Sequence, residues 1–551
     1  MYKGDNVERM EATVFREGLL QACRLLDEHK EEVNALNVFP VPDGDTGTNM
    51  SLTMKSAAEA VSNAPESIQA MAKALGNGSL MGARGNSGVI LSQLCRGLAQ
   101  SLKGKEVILL SDIADALESA RAKAYKAVMQ PTEGTILTVA RAMSEFAIQN
   151  QHEYSDIVAF LKDILRYANH VLQQTPDMLA ELKEAGVVDA GGQGLVYLFC
   201  GFVQALSGED LHTLLEQSKT QLPQVESTAR GREQALKTEK AYFVSFRINN
   251  IERERLLRHL EHYGVLESIS ETEDGFFVEA YSDVPVKLIN SQDKRGDLTE
   301  IHVISTRRHA LLQSEKEEKQ ANVFEPISKP QTLSRFGFVA VCMGEGFRSL
   351  FRDMMVNEVV SGGQTMNPST KDLLDAVERV PAETVFILPN NKNIILAAEQ
   401  VHELTEKKVV VIPTRSMPEG VMALFHFDDT ADAEVNKEQM TGSLREVMTG
   451  QVTYAVRDTE MNGLTMKAGD RIGLMNGEIV LTDTQDESLV ERLVETYRKP
   501  DHTLITVYVG KDADPNKAQE LHDVLTSRFA DCEVEFLHGD QPVYTYIFSL
   551  E

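Results

Sequence analysis

Asn34-Ala-Leu-Asn-Val-Phe-Pro-Val-Pro-Asp43-Gly-Asp45-Thr-Gly-Thr-Asn-Met50 is the stretch that sets this chain apart from a generic helical protein. Pro40, Pro42, Asp43, Gly44, Asp45 and Gly47 stand so close together that neither a helix nor a central strand can run through them, and the segment reads as a shaped loop. Upstream, Val7, Met10, Val14, Leu19, Leu20, Cys23 and Leu26 recur at roughly helical spacing, so an amphipathic helix leads into that loop. A long helical run follows it. Two carboxylates two residues apart repel each other unless something neutralises them. A hard divalent cation with oxygen ligands does so best, and Mg²⁺ with nucleotide phosphates is the usual case. The competing reading is an Asx-turn or a helix cap, since Asp, Gly, Thr and Asn are ordinary turn residues.

Working outward, segments near 66–76, 86–103, 111–129, 131–147, 155–173, 176–185 and 192–206 read as helices with short Gly, Pro or Ser breaks. Residues 1–208 are therefore expected to be all-α. Residues 209–240 turn polar, lack an apolar face and read as a linker. From 241 to 320 the text changes to short strands (241–248, 275–282, 299–305) around one helix near 251–263, a small α/β domain ending in the charged connector Ser314–Gln320. Residues 330–551 alternate apolar strands with single helices, which implies parallel βαβ units, followed by a second α/β lobe. Ser369 and Asp372 predict a capping-box-like helix start just after Pro368.

Composition narrows the function. A net charge of −28 over 551 residues repels phosphate backbones and anionic lipid surfaces, so no nucleic-acid or basic-face membrane binding is expected. The five cysteines are scattered, odd in number and without a CxxC pair, which argues against a disulfide framework and for a reducing, cytoplasmic setting. The N-terminus carries charges without an apolar signal core, and no stretch is apolar for long enough to span a membrane.

There is no GxxxxGK[ST] and no HRD or DFG set, so a nucleotide must be held by other means. The glycine-dense run Gly76–Gly88 opens into a helix, where backbone N–H groups and the Ser87 hydroxyl can cradle phosphate; Arg84 either pairs with phosphate or braces the loop. Thr132 and Thr135 read as caps of the helix after them, and Val187–Gly194 as a helix C-cap with a tight turn. Gly344-Glu-Gly346 resembles an anion nest at a helix start, but Ser349 breaks GxGxxG and argues against a dinucleotide. Gly362–Ser369 is either a polar carboxylate-binding loop or a structural one. No Ser/His/Asp arrangement is found.

Four segments, Asn37–Met50, Gly82–Gly88, Pro131–Leu137 and Leu182–Gly192, in this order and spacing resemble the nucleotide-binding L subunit of dihydroxyacetone kinases. In the form NVFPVPDGDTGTNM the first is similar to the catalytic subunit of bacterial fatty acid kinases. SGGQTMNPST, LPNNKNI and GDQPVY carry that resemblance into a C-terminal region similar to DegV-type lipid-binding proteins. The resemblance implies a helical barrel that binds ATP or ADP with Mg²⁺. Asp43 and Asp45 become metal ligands, with Asn37 near the position of a third aspartate and Thr46 in the place of a histidine. Asn49, Arg84, Ser87, Thr132, Thr135 and Lys183 fall to the nucleotide and its phosphates, and Asp189, Ala190 and Gly191 to the adenosine side. The implied reaction phosphorylates a fatty acid carboxylate, presented by a separate fatty-acid-binding protein, to an acyl phosphate for phospholipid synthesis. Two rivals are a dihydroxyacetone-type kinase and a nucleotide-binding scaffold that has lost turnover. A homodimer is expected. Relatives carry a Cys and two His suited to Zn²⁺ in the middle domain, whereas the corresponding text here is Ala241-Tyr-Phe243 and Phe277-Val-Glu279-Ala-Tyr281, so no zinc is expected; His259 and His262 read as a solvated helix face.

Overall fold

The computed structural model describes residues 8–38, 44–128, 131–210, 213–214, 242–249, 265–272, 275–282, 297–305, 333–363, 366–455, 459–461 and 464–551. Asp43, most of the 209–240 linker, the helix expected near 251–263 and the 314–320 connector lie outside these residues.

The first part is helical as expected: α1 (Ala12–Glu28), α2 (Lys30–Ala35), α3 (Thr46–Ser62), α4 (Ile68–Met81), α5 (Gly85–Ser101), α6 (Leu110–Ala127), α7 (Ile136–Asn150), α8 (Ile157–Gln174), α9 (Ala180–Ala185) and α10 (Ala190–Ser207). Two-residue strands β1 (Arg9–Met10) and β2 (Ile108–Leu109) pair beside them. Helices α1, α3, α4, α5, α6, α7, α8 and α10 each pack on the next, and α10 returns to α1, so eight helices close a barrel. Each turns an apolar stripe inward. In α8 the stripe is Ile157, Phe160, Leu161, Ile164, Leu165, Ala168 and Leu172, spaced three or four apart and all buried. The packed interior leaves an apolar cavity of about 160 Å³ lined by residues such as Leu94, Met143 and Phe199.

The helix boundaries shorten the loop expected in the glycine-dense run. Gly76 and Gly78 lie inside α4, not in a loop, and they serve helix packing: a Cβ at Gly78 would sit 2.9 Å from the Ala57 Cα of α3. The break between helices is confined to Gly82–Arg84. Similarly, the helix expected from 131 begins at Ile136 because Gly134, at φ +84°, cannot continue a right-handed helix.

Residues 221–330 form a compact unit of their own. Their described part is an antiparallel sheet ordered β4-β5-β3-β6, from β3 (Tyr242–Asn249), β4 (Val265–Thr272), β5 (Gly275–Ser282) and β6 (Asp297–Ser305). Three of these strands match the sequence reading; β4 is additional. The side chains at 243, 279 and 281, and His259 and His262, lie outside the described ones, so the zinc expectation is not addressed.

The C-terminal region packs with the barrel as one compact unit. Its first sheet is fully parallel, ordered β10-β9-β7-β8, built from β7 (Ser334–Cys342), β8 (Glu358–Ser361), β9 (Ala382–Leu388) and β10 (Lys408–Val411). Helices α11 (Glu345–Asp353), α12 (Thr370–Arg379) and α13 (Lys392–Gln400) connect the strands, giving the expected βαβ rhythm. The capping box forms as read: the Ser369 hydroxyl accepts from the Asp372 N–H while the Asp372 carboxylate accepts from the Ser369 N–H. The last lobe is a six-stranded sheet in which only Leu504–Val509 and Glu533–His538 run parallel, so it is mostly antiparallel.

Candidate active site

The N-terminal turns of four barrel helices meet at one end. The Thr46 hydroxyl of α3 lies 3.4 Å from the Ser87 hydroxyl of α5. Gly194 of α10 is so close to α3 that a Cβ there would lie 2.7 Å from the Met50 side chain. At the start of α10 the Asp189 carboxylate accepts backbone N–H groups from Gly192 and from Ile136, the first residue of α7. Helix N-termini carry partial positive charge, so this end of an otherwise acidic chain favours anions.

Asp45 occupies the N-cap position of α3 but makes no side-chain cap hydrogen bond to its helix. The reason lies in the residues just before the loop. Asn37 Oδ1 accepts from the Thr46 backbone N–H at 3.2 Å and also from the Thr46 hydroxyl. Asn34 Oδ1 accepts from the Thr48 N–H at 3.0 Å, and its Nδ2 donates to the Thr48 hydroxyl. The Thr46 and Thr48 N–H groups of α3 are thus satisfied by residues at and just after the end of α2. The Asp45 carboxylate is released from capping, and its Oδ2 accepts from Asn367 Nδ2 at 2.6 Å. The simple helix-cap reading of Asp45 does not hold.

Other expected site residues fall as follows. Asn49 is buried one turn into α3, with its Nδ2 2.6 Å from where a Cβ on Gly85 would stand; Gly85 itself has φ +57° and opens α5. Arg84, at the N-cap of α5, donates Nη1 to the Asn367 carbonyl at 2.9 Å and lies 3.5 Å from Asp372 Oδ2, so its guanidinium faces the C-terminal region. Thr135 caps α7 and donates its hydroxyl to the Thr132 carbonyl. Lys183 is largely exposed on α9, with Nζ 3.9 Å from Asp177. Ala190 and Gly191 form the first turn of α10. Burial pushes the Asp189 carboxyl up to about 7, against the lowering effect of its two N–H donors. The C-cap reading of this segment is corrected: Gly186, at φ +65°, ends α9, and Asp189 starts the next helix.

Sequence reasoning missed Asn34 as a capping residue and Asn367 as a neighbour of Asp45. The first was legible in principle as Asn-x-x-Asn before the loop. The second joins residues 322 apart, and only the fold brings them together.

Among the described residues no three His, Cys, Asp or Glu side chains gather as a metal cluster. What surrounds Asp45 instead is oxygen and amide: Thr46, Ser87, Asn49 and Asn367. The Asn367 Oδ1 is buried without a hydrogen-bond partner among the described residues. An uncapped carboxylate beside an unpartnered amide oxygen suits a hard cation. In the C-terminal region the Gly344–Gly346 nest is filled by the chain itself, since the Phe347 N–H donates to the Gly539 carbonyl and a Cβ on Gly346 would lie 1.8 Å from the His538 oxygen. It offers no room for an anion.

The barrel with this loop end defines the class: residues 40–204 match the DAK2 domain. Residues 337–551 match the C-terminal domain of FakA-like fatty acid kinase proteins. The chain is 38% identical to an uncharacterized protein of Staphylococcus saprophyticus, covering 99% of this chain and all of the relative. It is 37% identical to protein YloV of Bacillus subtilis, again covering 99% of this chain and all of the relative. The chain belongs to the FakA-like fatty acid kinase family. Among solved structures, the dihydroxyacetone kinase of C. freundii in complex with AMP-PNP and Mg²⁺ aligns over 40% of this chain and 49% of that one, with 11% identity and a TM-score of 0.31. The Streptococcus pneumoniae fatty acid kinase B3 protein loaded with linoleic acid aligns over 39% of this chain and 99% of that one, with 11% identity and a TM-score of 0.29. No helix among the described residues is long and apolar enough to cross a membrane.

Proposed function

We propose that this chain transfers the γ-phosphoryl group of ATP to the carboxylate of a fatty acid presented by a fatty-acid-binding partner protein, giving an acyl phosphate and ADP. The observation that carries this reading is the Asp45 carboxylate, relieved of capping α3 by Asn34 and Asn37 and standing where the first turns of α3 and α5 meet. Asp45, with Asp43, would hold Mg²⁺, and Asn37 stands behind them through Thr46. Bound there, the cation would neutralise phosphate charge and orient the phosphoryl group.

The chain's own residues do the rest. Ser87 offers a hydroxyl and the first turn of α5 offers backbone N–H groups to phosphate oxygens, with Thr46, held by Asn37, beside them. Thr132, Thr135, Lys183, Asp189, Ala190 and Gly191 would line the nucleotide. A carboxylate oxygen of the fatty acid attacks the γ-phosphorus, the bond from that phosphorus to the β,γ-bridging oxygen breaks, and ADP leaves with the electron pair. The acceptor is already ionised at neutral pH, so no general base is needed. That fits a site without a candidate His base among its described residues.

The test is ATP consumption with Mg²⁺ and oleate, with and without a fatty-acid-binding partner, trapping acyl phosphate as the hydroxamate. Partner-dependent hydroxamate is expected. Phosphorylation of dihydroxyacetone instead would move the assignment to a glycerone-type kinase, and ATP binding without turnover would move it to a nucleotide-binding scaffold.

A further inference from the structure

The loop Gly362–Ser369 leaves the carboxyl end of β8 and starts α12, yet it reaches the barrel. The Thr370 N–H donates to the Ala83 carbonyl at 3.0 Å, and Arg84 holds the Asn367 carbonyl. Along α5 the contact continues onto α13. Asn86 Nδ2 donates to Asn393 Oδ1 at 3.2 Å, Gln93 Nε2 donates to Gln400 Oε1 at 2.7 Å, and Arg96 pairs with Glu403 at 2.7 Å. Ala83 and Val89 of the barrel share a buried apolar cluster with Val341, Leu373 and Ile394 of the C-terminal region. The Asn367–Thr370 end of the loop is thus fixed by a backbone bond, a guanidinium and packing.

Asn367 sits at the tip of that arrangement. It is 2% exposed, its Nδ2 donates to Asp45, and its Oδ1 has no partner among the described residues. An unsatisfied buried acceptor costs stability, so a native structure rarely keeps one without use. The chemistry of the missing partner is restricted. An amide oxygen only accepts, so phosphate and carboxylate oxygens cannot satisfy it. A cation or a hydrogen donor such as water can, and beside the Asp45 carboxylate a cation with its water fits best. If Asn367 only braced the interface, Arg84, Thr370 and the α5–α13 contacts would already suffice.

Resting on the kinase reading above, we propose that Asn367 is a positioning residue of the phosphoryl-transfer site, supplied by the C-terminal region. Its Nδ2 fixes the orientation of the Asp45 carboxylate, and its Oδ1 is the acceptor that serves the divalent cation or a water on it. The C-terminal region therefore completes the nucleotide–metal site as well as any role it has toward a partner.

The experiment is Mn²⁺ binding to the full chain in the presence of ADP, followed by electron paramagnetic resonance, with thermal melts alongside. Asn367→Ala is expected to weaken Mn²⁺ binding about tenfold or more, the usual range for losing an outer-shell partner of a ligand. Arg96→Ala, which breaks the same interface away from Asp45, is expected to leave Mn²⁺ affinity within about twofold, since a half-exposed ion pair contributes little. Asn367→Asp keeps the side-chain size and places a second carboxylate against Asp45, so its Mn²⁺ affinity should rise more steeply with pH than that of the wild type; this variant also serves if the alanine variant does not fold. Unchanged affinity in Asn367→Ala, or in Asn367→Asp at every pH, alongside a tenfold or larger loss in Asp45→Asn would overturn the proposal while the kinase site stands. Unchanged affinity in Asp45→Asn would overturn both.

Discussion

Asp45 and Asp189 are the same residue type at the same position of two neighbouring helices, and they do different work. Asp189 caps α10, accepting from the Gly192 N–H at 2.7 Å, and burial raises its carboxyl to about 7. Asp45 stands at the N-cap of α3 without capping it, because Asn34 and Asn37 satisfy that helix from outside. What separates a capping aspartate from a non-capping one is therefore who else serves the N–H groups of its helix. A motif alone does not decide it.

The largest break in this comparison comes from exchanging the two roles by mutation. Asp45→Asn should lower phosphoryl transfer by at least about 100-fold, the scale of losing one preorganised electrostatic group. It should leave the thermal midpoint nearly unmoved, because α3 does not depend on it. Asp189→Ala should instead destabilise the fold by about 1 kcal/mol through loss of its cap, read in urea melts, and weaken nucleotide binding as well. Asn37→Ala sharpens the contrast: it should cost about 1–2 kcal/mol of stability, since two donors of Thr46 lose their acceptor in a buried setting.

A pH series separates the two aspartates further. The Asp189 carboxyl titrates near 7 in the folded chain and near its ordinary value of 3.8 when unfolded, so the folded state binds the proton more tightly. Its contribution therefore makes stability fall as pH rises from about 4 to about 7, with no further change above that. Asp189→Asn keeps a good cap and should flatten this part of the stability profile, as measured by urea midpoints at several pH values. The smallest effect is expected from Arg96→Ala at the exposed end of the α5–α13 contact. A half-exposed ion pair contributes about 0–1 kcal/mol and is screened by salt, so the melt should shift little.

Much of this architecture is legible in the sequence. The helical periodicity, the βαβ rhythm after residue 334 and the Ser369 capping box all depend on neighbours a few residues away, where sequence patterns act directly. What stays hidden depends on distant packing. Gly76 and Gly78 look like loop glycines but permit α4 to approach its neighbours, with Ala99 and Ala60 nearest where their Cβ atoms would stand. The β4 strand has a polar solvent-type pattern, Val265-Leu-Glu-Ser-Ile-Ser-Glu-Thr272, that carries too few apolar residues to stand out. In the last lobe Gly450 sits in β11 (Met448–Tyr454) beneath the Phe548 ring, which occupies the volume a side chain would need. The link from Asp45 to Asn367 has no local signal at all, although the polar loop that carries it is noticeable.

The central claim is that Asp45, which does not cap its helix, is a cation-holding carboxylate of a kinase site. Its most direct test compares wild type with Asp45→Asn in the oleate assay with Mg²⁺, ATP and a fatty-acid-binding partner, with hydroxamate yield and thermal midpoint measured on the same preparations. Partner-dependent hydroxamate in the wild type and at least about a hundredfold less in the variant, at an unchanged midpoint, is the predicted result on the scale of a lost electrostatic group. A folded variant that turns over within about twofold of wild type would contradict it, because a change of that size lies far below the effect expected of such a group.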